Sequence, residues 1–115
     1  MTLTGKMLIG QQSVCGHRDA IRAINPATNT PLGPAYAGGD EQHVDQACAL
    51  AWAAFDAYRE TTLADRATLL ETIATHIEAL GDELIERACA ETGLPRTRIE
   101  GERGRTCGQL RAFAR

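Results

Sequence analysis

Aromatic side chains are scarce in this chain: one Trp, two Tyr and two Phe, 4% of 115 residues. Much of its apolar content is alanine, so any core is thin for the length, and its faces are expected to bury against something else. Long apolar runs are missing too. The longest, Ala47 to Phe55, falls far short of the ~20 residues a membrane span needs. Lys6 followed by Met7-Leu8-Ile9 is too short for the apolar region of a signal peptide. A cytosolic chain without membrane contact is the expectation. No Cys-x-x-Cys occurs among Cys15, Cys48, Cys89 and Cys107, which argues against zinc and against a secreted disulfide framework. They read as free thiols. Cys48 and Cys89 are expected on apolar helix faces, where a thiolate is disfavoured. His17, His43 and His76 have no partners in sequence and read as surface or helix-flank residues. No strand leads into a phosphate-cradling Gly-rich loop, since Gly101 to Gly108 lacks both the strand and the spacing. Glu83 with Glu86, and Glu100 with Glu102, read as solvated helix charges. No residue is assigned to catalysis or to cofactor binding.

What is present is one domain or part of one, with 43% apolar residues, enough to exclude wholesale disorder. The net charge of −3 is unevenly placed. Residues 1–94 hold six basic and thirteen acidic side chains, and residues 95–115 hold six arginines against two glutamates. An acidic body with a basic tail lacking interleaved aromatics does not suit nucleic acid.

The pattern predicts strands and turns over 1–39 and helices over 40–115. Met7 to Val14 reads as two short strands around a turn at Gly10-Gln11. Ile21 to Ile24 is a third, stopped by Asn25-Pro26, and Pro31 to Ala37 a fourth. Gly38-Gly39 leads into the helical part. Asp40 is an N-cap with Glu41 in the first turn. Val44, Ala47, Cys48, Ala51, Phe55 and Tyr58 then repeat at helical spacing to about Glu60. Thr62-Leu63-Ala64-Asp65 resembles a capping box, and Leu69, Leu70, Ile73, Ile77 and Leu80 form the next apolar face. Gly81 suits a left-handed helix end. A short helix from Asp82 turns Leu84, Ile85, Ala88 and Cys89 inward and ends at Gly93, and Pro95 suits the first position of the last helix. There Ile99, Cys107, Leu110 and Phe113 form an apolar stripe, while Gly101, Gly104 and Gly108 share another face. Each of these glycines costs an exposed helix about 1 kcal/mol relative to alanine, unless another backbone packs closely on it. The alternative is a tail that is simply a poor helix.

In order and spacing these pieces resemble the N-terminal segment of aldehyde dehydrogenases. Met7-Leu8-Ile9-Gly10-Gln11 resembles the family's first hairpin, and Ile24-Asn25-Pro26-Ala27-Thr28 its Asn-Pro-x-Thr turn. Asp40 to Tyr58 resembles the first long helix. Thr62 to Leu80, with Arg66 near its start, resembles the second. Glu91-Thr92-Gly93-Leu94-Pro95 resembles Glu-Thr-Gly-Lys-Pro, with Leu94 where the family usually has lysine. Glu102-Arg103-Gly104-Arg105-Thr106 and Gln109 to Ala114 resemble the branch that oxidises α-ketoglutarate semialdehyde (2,5-dioxovalerate).

The resemblance implies an α/β enzyme of which this chain covers an N-terminal part, short hairpin strands followed by three to four helices. It implies NAD- or NADP-dependent oxidation of an aldehyde to a carboxylic acid. The family's catalytic and cofactor-binding residues are expected downstream, so the chain alone is expected to be inactive. Its partner would be the remainder of the enzyme, itself a homo-oligomer. By the same resemblance, the backbone carbonyl of Ala23 or Ile24 with the carboxylate of Glu91 would hold a monovalent cation, hard oxygen donors being what such an ion takes. Glu91 ending a helix in solvent is the bland alternative. Arg105, on a helix bordering the family's substrate tunnel, would hold the distal carboxylate of a dicarboxylic semialdehyde; an ion pair with Glu100 or Glu102 is the competing expectation. Two other readings remain: a stand-alone helical binding module with an Arg-rich anion-docking tail, and a structural module that oligomerises through its Ala-rich helix.

Overall fold

A computed structural model describes residues 2–115. Four short strands, β1 (Met7–Ile9), β2 (Gln12–Val14), β3 (Ala20–Asn25) and β4 (Thr30–Ala37), precede four helices. The helices are α1 (Glu41–Arg59), α2 (Leu63–Ala79), α3 (Gly81–Thr92) and α4 (Arg96–Ala114). The strands form two separate two-stranded sheets, β1–β2 and β3–β4. The chain divides into two compact units: residues 2–24 with 30–60, and residues 25–29 with 61–115. The strand-to-helix boundary near residue 40 is therefore not the boundary between units, because α1 clusters with the strands.

In the first unit β1 and β2 pair antiparallel, with Met7 opposite Val14 and Ile9 opposite Gln12. The two-residue connection at Gly10-Gln11 permits only that direction. Side chains alternate across the pleat: Ile9 is buried and Leu8 exposed. Helix α1 packs on β1, with Leu50 against Gly10. Asp40 caps α1 as the sequence predicts, its Oδ1 accepting from His43 N at 3.2 Å. The apolar face predicted for α1 finds no cover. Val44, Cys48, Ala51, Phe55 and Tyr58 are all exposed, Trp52 is 83% exposed, and His43 is the helix's buried residue.

The second unit is a three-helix arrangement in which α4 packs against α2 and α3. Its centre is Ala74, Ile85 and Cys107, each at most 1% exposed. The α2 face is rotated from the predicted one. Leu69 and Ile73 are exposed, whereas Ala74, which hydrophobicity ranking passes over, is fully buried. A small side chain at Ala74 admits α4 closely enough for Cys107 Sγ to donate to the Ala74 carbonyl at 3.6 Å. Leu84, Ala88 and Cys89 are half-buried beside Ile85, as their spacing predicts. Thr62 and Asp65 complete the predicted capping box, and Gly81 takes a left-handed φ of +59°. Pro95 lies one position earlier than predicted, at the N-cap of α4, because its extended backbone leaves its carbonyl to accept from Arg98 N and Ile99 N. Helix α4 is continuous through its glycines, so the tail is not a broken helix. Its glycine face is open: a Cβ added at Gly101, Gly104 or Gly108 would meet nothing within 4 Å.

Candidate functional site

Two motifs far apart in sequence meet in the second unit. Asn25 shapes the turn after β3. Its Oδ1 accepts from Ala27 N at 2.9 Å, its carbonyl accepts from Asn29 N at 2.7 Å, and Asn29 takes a φ of +53° that Asn tolerates. Pro26 of that turn lies against Gly93, the left-handed end of α3 at φ +70°. A Cβ on Gly93 would stand 2.9 Å from Pro26 Cγ. Glycine is thus required there twice, by conformation and by the approach of the turn.

Glu91 lies in the last turn of α3, exposed, and its Oε1 accepts from Arg87 Nε at 2.5 Å. A cation at Glu91 would compete with that guanidinium for the carboxylate. Ala23 is half-buried and Ile24 exposed on β3, in the other unit.

The arginines of α4 divide by what they touch. Arg96 bonds Asp82 and Glu100, Arg98 bonds Glu102, and Arg103 donates to the Gly81 carbonyl at 3.1 Å. Arg111 holds both carboxylate oxygens of Glu78, at 2.6 and 2.8 Å, and reaches Glu71 at 3.3 Å. The hydrogen bond from Arg111 holds the Glu78 carboxyl below the usual carboxylate range. The bonds from Arg96 to Asp82, Arg103 to Gly81 and Arg111 to Glu78 and Glu71 tie α4 to α3 and α2, while Arg98 bonds within α4. Arg105 is different. It is exposed and has no hydrogen bond or ion pair among the described residues. Its expected competitors are engaged elsewhere, Glu100 by Arg96 and Glu102 by Arg98. Its helical neighbours three and four residues away are Gly101, Glu102, Gly108 and Gln109, so half of them carry no side chain.

The histidines correct the sequence reading. His76 is exposed on α2, but His17 and His43 both find a partner in Asp40. His17 Nδ1 is 3.4 Å from Asp40 Oδ2, and His43 Nδ1 is 2.8 Å from Asp40 Oδ1. Asp40 N donates to the same His43 Nδ1 at 3.1 Å, so the 2.8 Å approach of Asp40 Oδ1 to it is a contact beside that hydrogen bond. The backbone bond from His43 N is the main influence holding the Asp40 carboxyl below its ordinary value, with His17 adding to it. Spacing could have paired Asp40 with His43, three residues on in a capping position. Nothing in the sequence pattern brings His17 there. The thiols are also placed otherwise than expected, since Cys48 is exposed rather than covered, and Cys15 is exposed as well.

No strand–helix–strand unit with parallel pairing occurs among the described residues, and their short strands do not fit a dinucleotide. What the residues do provide is the open arginine on α4 and the packed corner of Pro26 and Gly93. The aldehyde dehydrogenase family matches residues 14–115 of the chain, which is therefore a member of it.

Within the family, the chain is 55% identical over 116 residues to α-ketoglutaric semialdehyde dehydrogenase 2 of Azospirillum brasilense, covering 100% of this chain and 22% of that one. It is 44% identical over 110 residues to α-ketoglutaric semialdehyde dehydrogenase of Acinetobacter baylyi, covering 96% of this chain and 21% of that one. It spans about a fifth of the length of these curated relatives. Its fold matches that of an NAD-dependent benzaldehyde dehydrogenase from Corynebacterium glutamicum with a TM-score of 0.88 at 24% identity, over 97% of this chain and 25% of that one. That likeness is one of fold alone. The strand pairs and four helices are thus an N-terminal part of the aldehyde dehydrogenase fold.

Proposed function

We propose that this chain is the N-terminal portion of an NAD- or NADP-dependent dehydrogenase that oxidises α-ketoglutarate semialdehyde to the dicarboxylic acid, and that Arg105 holds the substrate's distal carboxylate. The observation that carries the reading is the open guanidinium of Arg105, left free while Arg96, Arg98, Arg103 and Arg111 are bonded. Two semialdehyde dehydrogenases at 55% and 44% identity support the substrate class. A planar guanidinium matches a carboxylate with two parallel hydrogen bonds, which an ammonium does not.

The cofactor and the reacting groups lie in the remainder of the enzyme, which is this chain's partner. A cytosolic homo-oligomer is the setting this reading assumes. The 115 residues by themselves are proposed to be inactive, because forming and oxidising a thiohemiacetal needs an activated thiol and a bound nicotinamide. A monovalent cation on the Glu91 carboxylate would displace the Arg87 guanidinium that holds it.

In the longer enzyme, Arg105→Ala should lower kcat/KM for the semialdehyde by roughly 10- to 100-fold and leave a neutral aldehyde of similar length nearly unchanged. Arg105→Lys should recover only part of the loss. Equal losses on both substrates would make Arg105 structural and remove the basis for acid selection. Turnover by the purified 115-residue chain above background would overturn its proposed inactivity.

A further inference from the structure

We propose that His17, Asp40 and His43 form a binding site for one divalent transition-metal ion of the zinc or nickel class. The residues come from two segments, the loop after β2 and the first turn of α1, and all lie in the first compact unit. Each offers one ligand atom, and the three atoms lie within 4.8 Å of one another. With metal–ligand bonds of about 2.0–2.1 Å, neighbouring donors stand about 3.3 Å apart in a tetrahedron and about 2.9 Å apart in an octahedron. Each imidazole nitrogen stands at about that spacing from its own oxygen of the Asp40 carboxylate, His17 Nδ1 3.4 Å from Oδ2 and His43 Nδ1 2.8 Å from Oδ1. Two nitrogens and an oxygen suit a borderline ion rather than calcium or magnesium, which take oxygen donors.

Helix capping does not account for this arrangement. The cap of α1 is complete with Asp40 Oδ1 and His43 Nδ1, and His17 adds nothing to it. Yet the His17 backbone is fixed in place: His17 N and Arg18 N both donate to the Gly38 carbonyl at 3.1 Å, and Gly38 N donates to Asp19 O at 3.3 Å. The His43 side chain is nine-tenths buried against Asp40, and the two rings lie 5.0 Å apart. The His17 side chain is 68% exposed, which leaves an entry path and room for water to fill the remaining coordination positions. The partial positive charge of the helix N-terminus opposes a cation there, as does Arg18. Asp40, Glu41 and Asp45 line a cavity together with Arg18 and set three carboxylates against that guanidinium. Binding at His43 Nδ1 also replaces its hydrogen bond from Asp40 N, so the affinity should be modest.

Titrating the chain with nickel or zinc chloride by calorimetry, and with cobalt by visible absorption, tests the site. One ion per chain is expected. His43→Gln retains the capping box, because glutamine is a usual partner at that position. Asp40→Asn retains the N-cap, and His17→Gln changes an exposed side chain. Each should weaken binding at least ~10-fold with helix content unchanged by circular dichroism. Cys15→Ser should leave binding unchanged. Nickel added to the unaltered chain should broaden the His17 and His43 proton resonances first, a readout independent of any variant. Absence of binding at millimolar zinc, binding insensitive to all three substitutions, or binding lost in Cys15→Ser would overturn the proposal.

Discussion

Helices α1 and α3 differ in opposite ways at their ends and along their sides. Helix α1 has a complete capping box at Asp40 and His43, yet Trp52, Phe55 and Tyr58 on it are exposed. Helix α3 has no side-chain cap, yet Ile85 at its centre is 0% exposed. Local end chemistry thus decides where these helices start, and it does not decide what they bury. Burial follows from a neighbour: α4 lies along α2 and α3 and covers one face of each. The same contrast divides the glycines. Gly93 is held at positive φ under Pro26, while Gly104 on α4 faces open space.

The largest effect that could break this comparison is a core truncation. Ile85→Ala should destabilise the chain by about 2–5 kcal/mol, the range for removing a buried aliphatic side chain. Trp52→Ala should stay within about 0.5 kcal/mol, as exposed positions do. Urea unfolding of both variants reads the difference. A Trp52→Ala cost equal to that of Ile85→Ala would show that α1 is covered after all. Next in size is the glycine pair. Gly93→Ala should cost at least about 1–2 kcal/mol, because a side chain resists the left-handed region and would also press on Pro26. Gly104→Ala should instead stabilise the chain by up to about 1 kcal/mol, the helix-propensity difference. In the longer enzyme, a loss on Gly104→Ala would indicate that another backbone packs on that face there.

Much of the secondary structure was legible because it is written in local chemistry. Gly10-Gln11, Asn25-Pro26, Asp40, Thr62, Gly81 and Gly93 mark their element ends through turn, cap and left-handed preferences. Burial was less legible. Hydrophobic spacing cannot distinguish an apolar face that has a partner from one that has none, so the α1 face was misread. The choice of Ala74 over Leu69 reflects how closely two backbones approach, which side-chain hydropathy does not encode. Of the candidate site, Arg105 was singled out by resemblance alone, and the bonds that engage its expected competitors depend on helix spacing: Arg96 to Glu100 and Arg98 to Glu102 are both four residues apart. The cluster at Asp40 was not legible, because His17 reaches it only through the backbone bonds to Gly38.

A smaller effect should come from the cap of α2. Thr62 accepts from Asp65 N at 3.1 Å and donates to Asp65 Oδ2 at 2.7 Å. Thr62→Ala removes both bonds and should cost about 1 kcal/mol in urea unfolding. Thr62→Ser should recover most of it, since serine caps at least as well. Equal losses in the two variants would mean that the threonine methyl, and not its hydroxyl, matters there.

The smallest effect concerns acid, and it separates the two capped helices. The Thr62 hydroxyl, followed by Thr62 N, holds the Asp65 carboxyl below its ordinary value of 3.8. At Asp40 the leading cause is the bond from His43 N, followed by His17. A carboxyl depressed in the folded state stabilises that state above its unfolded value, and the contribution is lost as pH falls through the lower folded value. Both caps should therefore weaken from about pH 4 downward, and the urea midpoint of the chain should fall between about pH 5 and pH 3. Glu78, held down by Arg111, pulls in the same direction. It does so equally in the unaltered chain and in Thr62→Ala, so it cancels between them. The Thr62→Ala chain has lost the largest influence on Asp65 and keeps that on Asp40. Its midpoint should therefore fall by less over the same interval. Parallel midpoint curves for the two proteins would show that Asp65 takes no stabilisation from Thr62, and that the α2 cap works through the backbone bond to the hydroxyl alone.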